Sequence, residues 1–273
     1  MKKKVLGFLL ILFLIIVGVV WIKRENFKYI KKDWRIGVVT QNGWGIVTIS
    51  PARRMVSSIK IDKKVRLWIP GETGWIDQDR VKKVLDETSN IFFYNFGFIP
   101  DKVEYLDEVE DWNNNSGLLK TMGLLSWLNF NYMRDRVIFN DDLVNKDLRT
   151  LGSYFSEVMM RDFADTELID NEDIKLTVIN ASQENGLAGF VSSRLEWAGM
   201  SVVSSGNENR EIKEFCLIVL GPNTENSVTE RKLTSLLNCE KENNLDLADG
   251  EIELYFGENF AKVLKYSSYV GTF

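Results

Sequence analysis

The chain has 273 residues, no histidine, and 34 basic against 39 acidic side chains, for a formal charge of -5. Without imidazole, Ser-His-Asp and Cys-His triads and HExxH zinc sites are excluded, so any chemistry has to rest on carboxylates, Lys, Tyr or a carboxylate-held metal. The balanced charge forms no basic face and no acidic tail, which speaks against a nucleic-acid partner.

Val5 to Ile22 (VLGFLLILFLIIVGVVWI) holds no charged side chain and is bracketed by Lys2, Lys3 and Lys4 and by Lys23 and Arg24. At about 1.5 Å rise per residue the run reaches roughly 27 Å, close to the thickness of a bilayer's hydrocarbon core. It predicts a single-pass membrane helix within residues 1–24. A cleaved secretory signal is the competing reading, but such signals end in a small-x-small site, and this run ends in Val-Val-Trp-Ile-Lys-Arg. A buried core helix is the third. Lys23, Arg24, Lys28, Lys31, Lys32 and Arg35 oppose the simple charge rule for orientation. An anchor at the extreme N-terminus nevertheless usually exports the chain beyond it, so the bulk of the protein is expected outside the cytoplasm. Residues 25–33 form a basic and aromatic juxtamembrane connector.

Residues 34–165 read as an α+β domain. RIGVVT and GIVTIS flank Asn42-Gly43, a strong hairpin signal, and Pro51-Ala52-Arg53 marks a second turn. In MVSSIKIDKKVRLWIP the residues Ile59, Ile61, Val65, Leu67 and Ile69 alternate with Lys60, Asp62, Lys64 and Arg66, the pattern of a strand with one wet side. Gly71 to Gly74 is a turn. Asp77 can cap a helix running to about Phe92. The five aromatics between Phe92 and Phe98 read as core rather than as a ligand platform, and Val103 to Leu106 as a strand. The carboxylates of Asp101 to Asp111 match no calcium-loop template and read as solvated surface. Leu118 to Phe130 suits a buried helix, and Asp141 or Asp142 can cap another through Leu148, Leu151, Phe155 and Val158 or Met159.

Residues 166–173 are acidic and are taken as a linker. From 174 to 273 strand and helix alternate. IKLTVIN, SVVSS, EFCLIVLG and EIELYFG are strands, with helices over Gly186 to Met200 and Thr229 to Asn238, giving a small βαββαβ open sheet. The fold class expected is therefore α+β or α/β, two mixed domains after the anchor. In this topology Cys216, early in the third strand, approaches Cys239, at the end of the returning helix. A disulfide is geometrically reasonable and fits an oxidising address, with bonded and free thiols both left open.

The ordered set Val178, Asn180, Ser182, Gly186-Leu187-Ala188, Leu195 and Gly199 before Ser201-Val202-Val203 resembles the LytR C-terminal domain. That module is found after LytR-CpsA-Psr catalytic domains and in other envelope-anchored bacterial proteins. Physics offers its own reason for the motif: Asn180 and Ser182 can cap the following helix, and Gly186 and Ala188 let it lie close to the sheet. The alternative is an anionic ligand at that helix N-terminus.

Gly45 to Pro51, Ser58 to Asp62 and Ile69-Pro70-Gly71 are faintly similar to strands of the LytR-CpsA-Psr catalytic domain, which attaches glycopolymers to peptidoglycan from a polyprenyl-pyrophosphate donor. Ile61 stands where that family has its phosphate-binding arginine. An isoleucine cannot neutralise charge developing in phosphoryl transfer. The expectation is therefore a non-catalytic, cofactor-free envelope protein that binds or organises cell-wall glycopolymer or an envelope partner, with Trp68, Trp75 and Trp112 as first candidates for sugar stacking. The alternative is a divergent phosphotransferase using Asp62, Lys60 and Arg66 with a divalent metal such as magnesium.

Overall fold

The computed structural model describes residues 33–40, 43–50, 55–63, 65–69, 75, 76, 78, 88–106, 131–137, 152–170, 173–208, 212 and 214–264. The expected anchor and, Asp33 apart, the connector lie outside the described residues. So do the expected Asp77 cap, the helix over 118–130 and the Asp141 or Asp142 cap. Among the described residues no helix is long and apolar enough to cross a membrane.

The β-branched stretches after the connector form the expected meander. Strands β1 (Trp34–Thr40), β2 (Gly43–Ser50) and β3 (Met55–Asp62) run antiparallel, with Trp34 opposite Ile49 and Ile46 opposite Ile59. Every residue of β2 is buried, because Trp44 and Ile46 face one core while Val47 and Ile49 are covered on the other side. The continuous strand expected through Ile69 breaks after Asp62. The apolar positions Ile59, Ile61, Val65, Leu67 and Ile69 are all buried as read, but only Leu67–Trp68 is strand again (β4), paired with β5 (Trp75–Ile76). Side chains replace the ladder there. The Asn95 amide takes both peptide groups of Trp68, at 2.9 and 2.8 Å, and Gln78 donates to the Val65 carbonyl.

Asn95 belongs to helix α1 (Thr88–Phe96), which runs past the expected end at Phe92 and carries the aromatic cluster. Phe92, Phe93, Phe96 and Phe98 are fully buried. Gly37 on β1 makes room for them: a Cβ there would lie 2.6 Å from the Phe92 ring. Strand β6 (Lys102–Leu106) then adds parallel to β1, and β7 (Asn131–Val137) parallel to β3, so the first sheet has the order β6-β1-β2-β3-β7.

Helix α2 (Gly152–Val158) continues into a π-helical turn, Met159–Phe163. Residues expected to form the acidic linker are instead helical, α3 (Thr166–Asp170), with Leu168 buried. The second sheet comes next, with β8 (Lys175–Asn180), α4 (Leu187–Ala198), β9 (Val202–Asn207), β10 (Cys216–Leu220), α5 (Val228–Leu237), β11 (Glu240–Asn243), β12 (Glu251–Phe256) and α6 (Glu258–Leu264). Its order is β11-β10-β12-β8-β9, mixed rather than wholly parallel. β11 and α6 were not legible: Glu-Lys-Glu-Asn has no apolar position to mark a strand.

One hydrophobic core serves both sheets. Its seam is aromatic, and α4 supplies the second unit's half. Trp68 meets Phe190 edge-on at 5.6 Å, Tyr94 stacks on Phe190, and Phe155 meets Trp197 edge-on. Arg194 lies over the Phe190 and Trp197 rings and donates to the Tyr94 carbonyl across the seam. An ionic node also joins the two units. Asp165 accepts from Lys232 of α5 and, at 3.4 Å, from Arg35 of β1, and both the Arg35 and Asp165 side chains are almost wholly buried.

Gly97 is where the seam is tightest. Its φ is +60°, and a Cβ there would lie 2.5 Å from Trp197 Cβ and 2.7 Å from the Arg194 carbonyl. Gly97→Ala combines overpacking with a left-handed backbone and should lower unfolding free energy by about 2–4 kcal/mol. Thermal unfolding of the full chain in detergent measures this; an unchanged midpoint would show that the seam yields without cost.

Candidate functional site

The resemblance motif is built around Asn180, the last residue of β8, whose side-chain hydrogen-bonding capacity is fully used. Its amide NH2 donates to the Glu184 carbonyl at 2.8 Å and to Asn207 Oδ1 at 3.0 Å, while its Oδ1 accepts from the Ser182 N–H and from Ser182 Oγ. Ser182 Oγ in turn accepts from the Glu184 N–H. The main chain adds three ties: Glu208 N–H to the Asn180 carbonyl, Ala181 N–H to Phe256, and Gln183 N–H to Glu258 Oε2 at 3.1 Å. The loop between β8 and α4 is thus held from β9, β12 and α6 together.

This overturns the expected helix cap. The N-cap of α4 is Gly186, in the left-handed region, and no side chain caps the helix, because Asn180 and Ser182 are already committed to the loop. Gly199 is the left-handed C-cap, with its N–H on the Glu196 carbonyl and Met200 N–H on Leu195. Val178, Leu187, Ala188 and Leu195 are buried core. The motif residues are therefore brought together, chiefly to shape one strand-to-helix connection.

Electrostatics reinforce the same connection. The Gln183 N–H is the main cause holding the Glu258 carboxyl below its ordinary range; partial desolvation opposes it and Lys262 adds to it. At the start of α5, burial pushes the Glu230 carboxyl up, but Lys241 at 2.8 Å, the Thr234 hydroxyl and the Asn226 N–H together bring it net below the usual range. Ser227 caps that helix by accepting the Glu230 N–H. Glu196, near the end of α4, has its carboxyl pushed up by partial desolvation.

The other candidate residues are placed apart from this loop. Trp68 is 0% exposed, so it has no ring face to offer a sugar, and it is corrected from ligand candidate to core residue. Trp75 pairs with Trp68 in the β4–β5 register; Trp112 lies outside the described residues. Lys60 is half-buried on β3 opposite Gly45, Asp62 ends that strand opposite Gly43, and Arg66 is exposed beyond the turn. Among the described residues there is no group of three or more His, Cys, Asp or Glu that could hold a metal ion. Cys216 and Cys239 are joined in a disulfide with Cα atoms 4.8 Å apart.

Sequence reasoning missed Asn207 and Glu258 as partners of the motif. For Asn207 the signal was partial: parallel pairing brings the end of β9 toward Asn180, but the one-residue register shift that selects Asn207 rather than Gly206 is visible only in the structure. Glu258 had none, since α6 was not anticipated.

An open α/β sheet entered through a glycine-capped helix and an Asn-centred loop is the class of domain that the second half defines. Residues 173–260 match the family described as LytR cell envelope-related transcriptional attenuator, and this segment is a LytR-type C-terminal domain. No curated protein matches the chain. Among solved structures, the soluble domain of a conserved hypothetical secreted protein from Mycobacterium marinum is similar over 38% of this chain and 70% of its own, with 21% identity and a TM-score of 0.29.

Asn180→Ala removes four part-buried hydrogen bonds and should cost about 1–3 kcal/mol, read as a drop in the denaturant midpoint; a drop within error would mean that the loop is held without Asn180. Glu258 makes a pH prediction. Because its folded-state pKa is depressed, its stabilisation is complete above the unfolded value and is lost as pH falls through the folded one. Protection of the Gln183 amide, taken relative to its intrinsic exchange rate at each pH, should fall on acidification in the wild type and lack that pH step in Glu258→Gln; the same step in both would exclude Glu258 as its source.

Proposed function

We propose that the chain is a single-pass envelope protein with its mass outside the cytoplasm, binding or organising wall glycopolymer or an envelope partner without chemistry of its own. The match of residues 173–260 to a cell-envelope-related family carries this reading. The Cys216–Cys239 bond supports the address, because disulfides persist in oxidising compartments and are rare where thiol reductants dominate. The apolar run from Val5 to Ile22 supplies the tether.

The non-catalytic part of the reading draws on Ile61. It occupies the position of the LytR-CpsA-Psr arginine in the resemblance, and it is buried in the core cluster beside Ile59 and Trp44. A residue there serves packing, and the first sheet serves as scaffold. Trp75 is the aromatic to test for sugar contact, since Trp68 is enclosed.

Protease added to intact spheroplasts should cleave the chain, whereas protection would place its mass in the cytoplasm. Purified full-length protein should be retained on peptidoglycan carrying its glycopolymer, and Trp75→Ala should weaken retention by about 1 kcal/mol, roughly fivefold. Equal retention of both would remove the glycan contact from Trp75. Metal-dependent turnover of a polyprenyl-pyrophosphate substrate, abolished by Asp62→Ala, would replace this reading with the transferase alternative.

A further inference from the structure

The two edges of the second sheet are built to different rules. β11 reads Glu-Lys-Glu-Asn and is exposed throughout, an edge guarded by charge against further strand pairing. β9, Val-Val-Ser-Ser-Gly-Asn, has no charge and no proline, five of its six residues are exposed, and Val203 is 55% exposed. Among the described residues its sole strand neighbour is β8. The one irregularity, a register shift opposite Leu176 and Thr177, lies at its beginning and leaves Ser204 to Asn207 in unbroken register with Thr177 to Asn180.

The far end of the strand sets the direction of the open groups. Glu208 donates its N–H inward to the Asn180 carbonyl, and alternate residues of a strand share a direction. The inward set is then Glu208, Gly206 and Ser204. Ser205 and Asn207 turn their N–H and C=O groups away from the sheet, and the Asn180 loop fixes the position of that end through Asn207.

A repeating row of outward main-chain donors and acceptors matches an extended polypeptide; a glycan or a lipid offers no such repeat. The surrounding charge narrows the partner. Residues 173–264 hold 8 Lys and Arg against 15 Asp and Glu. Glu208, directly after β9, and Glu196, on the helix leading into it, are both exposed. Two copies of this acidic unit would repel, whereas basic residues flanking an uncharged extended segment would be attracted.

We infer that β9 accepts an extended segment of a partner polypeptide by strand addition, an uncharged stretch flanked by basic residues. The setting rests on the envelope reading, but the test is made on purified protein and is independent of where the chain resides. The probe is the labelled peptide Lys-Lys-Thr-Val-Thr-Val-Thr-Val-Lys-Lys, added to the full chain in detergent. It should bind, slow hydrogen exchange at Ser205 and Asn207, and bind at least tenfold more weakly when Glu replaces its Lys flanks. Ser205→Pro removes an outward N–H at an edge position where proline is tolerated, and should lose at least tenfold in affinity at an unchanged melting temperature. Ser204→Lys, which keeps every N–H, should weaken binding by like charge even if the proline variant fails to fold. Absence of binding, equal affinity in these variants, or a dimer joined through β9 that the peptide does not displace would each overturn the inference.

Discussion

Asp165 is a buried carboxylate shared by two cations from opposite halves of the molecule, and the arrangement of everything around it comes from keeping that charge satisfied. Taking a carboxylate out of water costs several kcal/mol, which attraction offsets only when the remaining lone pairs are also used. Here they are. Oδ2 accepts from Arg35 and Lys232, and Oδ1 accepts the Glu167 N–H, so the same residue caps α3. Its own N–H goes to the Ala198 carbonyl at the end of α4. Arg35 completes the node by donating to the Phe163 carbonyl, an orphan at the end of the π-helical turn, and by lying 4.6 Å over the Phe98 ring. A helix ends, another begins and two sheets are joined within one short stretch of chain.

Packing and function are linked through this node. With the charge satisfied, α4 can lie against α1, and the rings of Trp68, Tyr94, Phe155, Phe190 and Trp197 close over the seam. α4 is also the helix whose entry loop is organised by Asn180 and whose exit leads into β9. The connection that shapes the LytR-type domain and the open edge beside it are therefore carried on a surface backed by the shared core. The disulfide pins the other side of the sheet, tying β10 to the end of α5; closing a loop of this length stabilises by about 3 kcal/mol through the unfolded chain. β9 has no such staple, and the Asn180–Asn207 contact takes that part.

Much of this was legible from local pattern. The meander came from β-branched runs and turn residues, the aromatic core from composition, and the second sheet from alternation of apolar strands with helical spacing. The illegible features depend on distance along the chain. Asp165 went unmarked, as the last residue before the expected acidic linker, because its partners lie 130 and 67 residues away. Trp68 looked available because it alternates with Leu67 and Ile69 onto the side of the strand that carries Lys64 and Arg66, yet Asn95, 27 residues on, and Phe190 on another unit enclose it. Asn180 and Ser182 were expected to cap the helix and instead tie the loop before it. Nothing local distinguishes an Asn that caps a helix from one that ties a loop to the next strand. The break after Asp62 has the same origin, since side chains from α1 and beyond replace a ladder that alternation alone would continue.

The central claim, that the Asp165 node makes the two sheets one cooperative body, is tested most directly by native-state hydrogen exchange on the wild type and on Asp165→Asn. Amides in β2 and β12 should open with the same free energy in the wild type and fall together in the variant, by about 3–5 kcal/mol as expected for an orphaned buried charge. Separate opening energies for the two strands in the wild type, or a loss confined to one sheet, would contradict it.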